Sequence, residues 1–230
     1  MKISILIPCY NEEKTLRDIL LKVIKFEKYE KEIIIIDDSS QDKSYEIAKE
    51  FEKNYTYIKA IKQSTNYGKG SAIKRGLENV TGDIVLIQDA DLEYDPIDYP
   101  KLLEPFENTD ADVVYGSRFL GGSYVRLHFY WHSIANKLLT MFSNILTNLN
   151  MTDMETGYKL FKTKAIKSID LKEKSFSVEP EITIKLAKKK FIFYEVPISY
   201  KGRSYEEGKK ITIKDAFLAI YCLIKYRFFG

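Results

Sequence analysis

The stretch that most constrains this chain is Gly82 to Asp91. Its centre, Ile84-Val85-Leu86-Ile87, is an apolar run of strand length bounded by polar residues. Such a run reads as a strand buried on both faces, which requires helices packed on either side of a sheet. The strand then delivers two carboxylates, Asp89 and Asp91, separated by one small residue, with Glu93 two positions on. Carboxylates so spaced can share one hard divalent cation, and Mg²⁺ or Mn²⁺ suits such oxygen ligands. Taken alone, the same residues would equally serve as a polar turn.

The residues before this stretch repeat its pattern. Ile3-Ser4-Ile5-Leu6-Ile7 stops at Pro8, and Cys9-Tyr10-Asn11-Glu12-Glu13 follows. Asn11 is expected to cap a helix whose face is Leu16, Ile19, Leu20, Val23 and Ile24. Glu32 to Ile36 is a second buried strand ending in Asp37-Asp38-Ser39-Ser40, with Ser39 and Asp42 resembling a capping box. A weaker strand, Tyr57 to Ile61, precedes the loop Thr65 to Ser71 and a further helix. Strands alternating with helices at this spacing predict an α/β fold with a mainly parallel sheet. Right-handed crossovers put the carboxyl ends of those strands on one edge, where open α/β sheets bind ligands. The polar clusters therefore read together as a site. The first strand lacks a G-x-G-x-x-G, which disfavours a dinucleotide. Gly68-Lys69-Gly70-Ser71 is not a P-loop, although Lys69 at a helix start can meet an anion.

Composition narrows the class of partner. At 230 residues and a net charge of +3, the chain suits one large domain or one and a half and does not call for a nucleic-acid partner. Cys9 and Cys222 form neither a disulfide framework nor a metal spacing, so a reducing cytoplasmic setting is expected. Met1-Lys2 runs straight into a strand-like segment, so no secretory leader is expected. No segment holds the roughly 20 apolar residues of a membrane span.

The second half changes character. Ala111 to Tyr115 is another strand, followed by Gly116-Ser117-Arg118. From Trp131 a helical stripe of Ile134, Leu138, Met141, Ile145 and Leu149 runs with apolar neighbours beside it. It reads either as a core helix or, with Tyr130 and Trp131 at its start, as a face for a bilayer surface. His128 and His132 lack acidic or cysteine partners for zinc. Ser177 to Ile182 opens a helix, and Phe191 to Ile198 is a last strand that Pro197 marks as an edge. The loop Tyr200 to Lys210 is basic, aromatic and glycine-punctuated. Residues 212–228 close the chain as an amphipathic helix with Phe217, Ile220, Tyr221, Ile224 and Phe228 on one side. The expected division is a catalytic domain over 1–210 and an interfacial helix over 211–230.

An ordered set of motifs resembles the family 2 inverting glycosyltransferases of GT-A fold. It comprises Ile7-Pro8-Cys9-Tyr10-Asn11-Glu12, Ile36-Asp37-Asp38-Ser39-Ser40 and Asp89-Ala90-Asp91. Asn66 to Ala72, Tyr115 to Arg118, Thr156 to Lys159 and Glu179-Pro180-Glu181 make it similar to the dolichyl- or polyprenyl-phosphate hexose synthases. That resemblance implies a GT-A, Rossmann-like sheet with C-terminal amphipathic helices. It places Pro8, Tyr10, Glu12, Asp37 and Asp38 along the nucleotide, with Asp38 alternatively fixing a loop. Lys69 joins the donor site, and Asp89, Asp91 and Glu93 hold Mg²⁺ or Mn²⁺. Arg118 and Arg126 receive an acceptor phosphate, and Arg203 and Lys209 lie on a loop closing over the donor diphosphate. Glu179 either faces the sugar pocket or caps its helix. Asp91, Arg118 and Arg203 are the implied catalytic set.

The implied reaction moves a hexose from a nucleotide sugar, of the UDP-glucose or GDP-mannose type, to a polyprenyl phosphate. A phosphate nucleophile needs no strong base, because its second pKa is about 6. The alternative is a transferase acting on a hydroxyl of a glycan, lipid or protein, for which Asp91 or Asp153 is the candidate base. The expected setting is peripheral, at the cytoplasmic face of a membrane. A homodimer would compete for the same apolar helix face.

Overall fold

The protein is described here by a computed structural model covering residues 1–121, 126, 130–203 and 213–229. The first half consists of β1 (Lys2–Cys9), α1 (Leu16–Ile24), β2 (Glu30–Asp37), α2 (Ser44–Asn54), β3 (Ile58–Lys62), α3 (Lys69–Leu77) and β4 (Ile84–Ile87). Next come α4 (Tyr99–Asn108), β5 (Val113–Ser117), α5 (Tyr130–Thr147), β6 (Lys159–Lys162) and α6 (Thr163–Lys167). The last elements are α7 (Val178–Lys188), β7 (Phe193–Pro197) and α8 (Ile213–Phe228).

The strands form one seven-stranded sheet in the order β3-β2-β1-β4-β6-β5-β7. All neighbouring pairs are parallel except those made by β6, which runs antiparallel between β4 and β5. The mainly parallel α/β sheet expected from the alternating pattern is therefore present. β6 is the element that pattern did not show, because Leu160 and Phe161 are too short an apolar run to announce a strand. Pro197 lies on the edge strand β7, where its missing N–H is tolerated.

Period-two alternation divides the core between the sheet's two faces. Ile3, Ile5 and Ile7 point to the side of α1 and α4, and Leu6 and Ile34 to the side of α3, α7 and α8. The chain leaves β1 for β2 and β3 on one side and returns to β4 on the other. The topological switch thus falls between β1 and β4, where open sheets leave a crevice. Pro8–Glu12 and Asp89–Glu93 open onto that crevice, and Arg118 follows β5 on the same edge.

Three local expectations are corrected. Asn11 does not cap α1: it sits at φ 52° and its Oδ1 accepts from Gln41 N–H at 2.8 Å, tying the β1 loop to the β2 loop. Ser39, at φ 63°, makes no capping box. Asp42 instead accepts from the backbone N–H of Ser44, the first residue of α2. Of the two readings left open for the α5 stripe, the core one is corrected, because the stripe turns outward. Leu138, Met141 and Ile145 are exposed, and it is Leu139, Thr140 and Ser143 that are buried. α8 behaves alike, with Phe217, Tyr221 and Phe228 outward and Ala219, Cys222, Leu223 and Tyr226 inward. Among the described residues no helix is long and apolar enough to cross a membrane.

Candidate active site

The crevice is a cavity of about 700 Å³. Its walls include Pro8, Tyr10, Glu12 and Asp38 from the first two strand ends, Lys69 from α3, and Asp89, Asp91 and Glu93 after β4. Arg118, Glu155, Glu179, Tyr200 and Arg203 add to its polar lining, with Asn66, Asn136 and Asp215. Three charge clusters organise it.

The first cluster surrounds Arg203. Its Nη2 donates to Asp91 Oδ2 at 2.6 Å, Nη1 lies 3.3 Å from Glu12 Oε2, and Nε lies 3.4 Å from Glu93 Oε1. Glu93 Oε1 also accepts from the Arg203 backbone N–H at 2.7 Å, while Glu93 Oε2 accepts from the Tyr200 hydroxyl at 3.0 Å. Glu93 therefore clamps the strap 200–203 onto the sheet edge. Burial, with Asp89 and Glu93 as like-charged neighbours, pushes the Asp91 carboxyl up to about 7, against the pull of Arg203.

The second cluster runs from half-buried Lys69 and Asp89 inward to buried Glu179 and Lys159. Lys69 Nζ lies 2.7 Å from Asp89 Oδ1 and 3.0 Å from Glu179 Oε1, and Lys159 Nζ lies 2.7 Å from Glu179 Oε2. Lys159 is fully enclosed, donating also to Thr156 O, with its ammonium 4.8 Å from the centre of the Tyr115 ring. Burial works against the Glu179 charge, yet Lys159 and Lys69 more than offset it and hold the carboxyl below its usual range. Glu179 therefore joins two lysines and does not cap α7.

The third cluster is Arg118. Its Nε and Nη2 make a bidentate pair with Asp153 at 2.6 and 2.7 Å, and its guanidinium stacks 4.9 Å from the Tyr200 ring centre. Asn136 Nδ2 donates to the same Asp153 at 3.1 Å. Asp153, fully buried, thus has both oxygens engaged, and it is not available as the base that a hydroxyl acceptor would need.

The remaining expected site residues divide. Asp38 accepts from the backbone N–H groups of Tyr67 and Gly68 at 2.8 and 2.6 Å, so it fixes the loop leading to Lys69. Asp37 accepts from Ser40 N–H at 3.1 Å, while its other oxygen is sealed without a partner. Arg126 is exposed, its backbone N–H bonds Tyr200 O at 2.9 Å and its Nη1 bonds Gly202 O at 3.1 Å. It braces the strap and is not among the residues lining the cavity. Lys209, His128 and the boundary at 210/211 lie outside the described residues. Lys159 and Glu155 carried no sequence signal for a role: one is a lysine within Thr156 to Lys159, the other a glutamate in a polar turn.

The chemistry of the donor set suits a divalent cation. Asp89, Asp91 and Glu93 supply hard oxygens, and the crowding that raises Asp91 is what a cation would relieve. However, among the described residues no three carboxylate, histidine or cysteine side chains are gathered as a ready metal cage. Glu93 is meanwhile engaged by the strap, accepting from the Arg203 backbone N–H and the Tyr200 hydroxyl. The residues fit a cation held by Asp89 or Asp91, with its other ligands from phosphate and water, as Mg²⁺ commonly is.

The seven-stranded, mainly parallel sheet with its acidic loops at the switch point has the GT-A fold. Residues 4–170 match the Glycosyl transferase family 2 model, and the chain belongs to that family. It is 30% identical over 233 residues to the dolichol-phosphate mannosyltransferase of Pyrococcus furiosus, covering 98% of this chain and 64% of that protein. The chain thus spans less than two thirds of that relative's length. It is 29% identical to the UDP-N-acetylglucosamine–dolichyl-phosphate N-acetylglucosaminyltransferase of Methanococcus voltae, covering 96% and 94% of the two chains. The fold matches glucosyl-3-phosphoglycerate synthase from Mycobacterium tuberculosis, a complex with Mn²⁺, UDP and phosphoglyceric acid. The TM-score is 0.75 at 18% identity, covering 100% of this chain and 79% of that one.

Proposed function

We propose that this glycosyltransferase moves a hexose from a nucleotide sugar to a polyprenyl (dolichyl or undecaprenyl) phosphate. The observation that carries the reading is that one cavity holds two separate receptors for anions. Arg203 and Lys69, set among the carboxylates of the β4 loop, suit a donor diphosphate. Arg118, held by Asp153, suits a second phosphate. The two named relatives, from Pyrococcus and Methanococcus, support a dolichyl-phosphate acceptor.

The chemistry follows from these groups. As the nucleotide leaves, negative charge grows on its diphosphate, and Arg203 and Lys69 are pre-aimed to stabilise it. A Mg²⁺ or Mn²⁺ ion held by Asp89 or Asp91 would neutralise part of that charge as a Lewis acid. Arg118 orients the acceptor phosphate for attack on the opposite face of the sugar carbon, which inverts it. That phosphate is already ionised near neutral pH, so no base is required. A hydroxyl acceptor would need one: Asp153 is locked by Arg118 and Asn136, and Asp91 is paired with Arg203 and stands where a cation would be held. The phosphate acceptor is favoured for that reason.

The outward apolar faces of α5 and α8, which pack on each other, suit peripheral contact at the cytoplasmic face of a membrane, with the 211–230 segment as an interfacial helix. The test is incubation of purified protein and MnCl₂ with radiolabelled UDP-glucose, UDP-N-acetylglucosamine or GDP-mannose. The acceptors are undecaprenyl or dolichyl phosphate, against the free polyprenols. Labelled lipid-phosphate sugar is the expected product. Label only on a free hydroxyl would overturn the acceptor.

A further inference from the structure

Glu155 has no part in the reaction just described. It lies in the turn before β6 and lines the same cavity as Lys69, Asp89, Arg118 and Glu179. Its Oε1 is sealed from solvent and has no hydrogen-bond partner. The cations around it are committed elsewhere: Lys159 to Glu179 and Thr156 O, Arg118 in its bidentate pair with Asp153. Glu155 as a whole is half-buried, but an oxygen sealed without a partner is costly, and an apolar residue here would carry no such cost. Groups held in this way concentrate where a ligand completes them.

The cavity's charges say which part of a substrate that is. A donor diphosphate would be drawn to Lys69 and Arg203, and an acceptor phosphate to Arg118. A carboxyl repels either anion. The hexose is the uncharged, hydroxyl-rich piece joining the two, since it is bonded to the diphosphate and attacked by the acceptor. Burial first, then Glu179 and Asp153, push the Glu155 carboxyl up to about 7 against Lys159 and Arg118. Near neutrality it therefore exists in good part as the acid, which both donates and accepts a hydrogen bond.

We propose that Glu155 reads the sugar: its carboxyl hydrogen-bonds a hydroxyl of the bound hexose and thereby sets donor-sugar preference. This rests on the transferase reading above, and the test separates the two. Binding to wild type, Glu155→Gln and Glu155→Leu is measured by calorimetry with MnCl₂. The ligands are UDP, GDP, UDP-glucose, UDP-N-acetylglucosamine and GDP-mannose, with Glu155→Ala replacing the Leu variant if that does not fold.

The expected result is a Kd for the bare diphosphate that stays within about twofold in Glu155→Leu, while the preferred nucleotide sugar weakens about tenfold or more. Glu155→Gln, which keeps a donor and an acceptor, stays within about threefold of wild type. The ligand-free Leu variant melts a few degrees higher, because the unpaired carboxyl is gone. The proposal is overturned if bare and sugar-bearing nucleotides shift together, if neither shifts, or if Gln loses the sugar preference as fully as Leu. Absence of any nucleotide binding by wild type overturns the transferase reading, and this inference with it.

Discussion

Arg203 Nη2 sits 2.6 Å from Asp91 Oδ2, closing a span of 112 residues between the strap after β7 and the end of β4. The same guanidinium reaches Glu12 and Glu93, so the chain supplies its own cation to a crowded group of carboxylates. A donor diphosphate and a divalent ion would have to share this place with the arginine. On the proposed function the arginine would be both a clamp for the leaving group and a competitor for its metal.

Those two roles predict opposite signs in one variant. Arg203→Gln should tighten Mn²⁺ binding in the absence of nucleotide, read by the loss of free-ion EPR signal. The same variant should lower kcat/KM by about 10²–10³, the range seen when one group stabilising a transition-state charge is removed. Mn²⁺ affinity unchanged from wild type would show that the guanidinium does not compete with the ion.

Gly157 tests how closely the β6 turn sets Asp89. A Cβ at this position would overlap Asp89 Oδ2 and lie 2.7 Å from Tyr94 Cε2. Tyr94 is buried and its hydroxyl accepts from Gly157 N–H at 2.8 Å, so it cannot retreat easily. Asp89 is the half that gives way, and with it the contact to Lys69. Gly157→Ala should therefore cost activity out of proportion to stability: at least about tenfold in kcat/KM for a misplacement of this kind, with a urea midpoint close to wild type. Equal loss of both would mean that the turn, not Asp89, is what the methyl displaces.

Glu179 joins Lys69 and Lys159, and Lys159 has no access to water. Replacing the carboxylate by an amide strands a buried ammonium. Breaking a buried pair in this way costs about 3–5 kcal/mol, so Glu179→Gln should lower the urea midpoint substantially. The pH dependence has a definite sign. The folded-state carboxyl is held below its ordinary value of 4.5. Its contribution is therefore complete above that value and is lost only as pH falls through the still lower folded one. The stability gap between wild type and Glu179→Gln should stay constant from neutrality down to about pH 5 and close below 4.5. A gap that closes already between pH 7 and 6 would assign the stabilisation to some other group.

Much of this architecture could be read from single residues, and the exceptions have physical causes. Apolar runs at Ile3–Ile7, Ile33–Ile36 and Ile84–Ile87 announce buried parallel strands, and a parallel sheet must put Asp37, Asp89 and their neighbours on one edge. Asp89 and Asp91 drew notice as carboxylates after a buried strand, and Arg118 and Arg203 through the family resemblance; the fold brings all four to one cavity. Lys159 and Glu155 drew none, since their setting depends on β6 inserting antiparallel between β4 and β5, a pairing that four residues of sequence do not reveal. Arg126, expected from the resemblance beside an acceptor phosphate, bonds Tyr200 O and Gly202 O of the strap. The faces of α5 and α8 were legible as apolar stripes, while their direction was not. Periodicity gives a stripe, and only the packing of neighbours says whether it points in.

Acceptor recognition is tested at Arg118. Its bidentate pairing with Asp153 leaves the guanidinium oriented but not fully consumed, and a fork of this kind suits a phosphate better than a point charge does. Arg118→Lys should therefore raise the KM for polyprenyl phosphate about tenfold or more while leaving nucleotide-sugar binding near wild type. Asp153→Asn, which loosens the same guanidinium without removing it, should produce a milder form of the same defect. A matching loss of donor affinity in both would place Arg118 on the nucleotide side of the cavity instead.

The outward stripes of α5 and α8 carry a built-in probe, because Trp131 is the only tryptophan in the chain and is 75% exposed. It stands beside Tyr130 at the start of α5, and α8, which packs on that helix, presents Phe217 and Tyr221 outward. Amphipathic aromatic rings at the edge of an apolar face favour the headgroup region of a bilayer. Adding phospholipid vesicles should shift Trp131 emission to the blue and quench it with lipid-borne bromine. Trp131→Ser with Phe217→Ser should weaken vesicle cosedimentation by about tenfold or more, since full burial of each side chain is worth about 1.5–3 kcal/mol and the interface realises part of it. A blue shift that instead grows with protein concentration in the absence of lipid, accompanied by a doubling of mass in sedimentation, would give this face to a second copy of the chain.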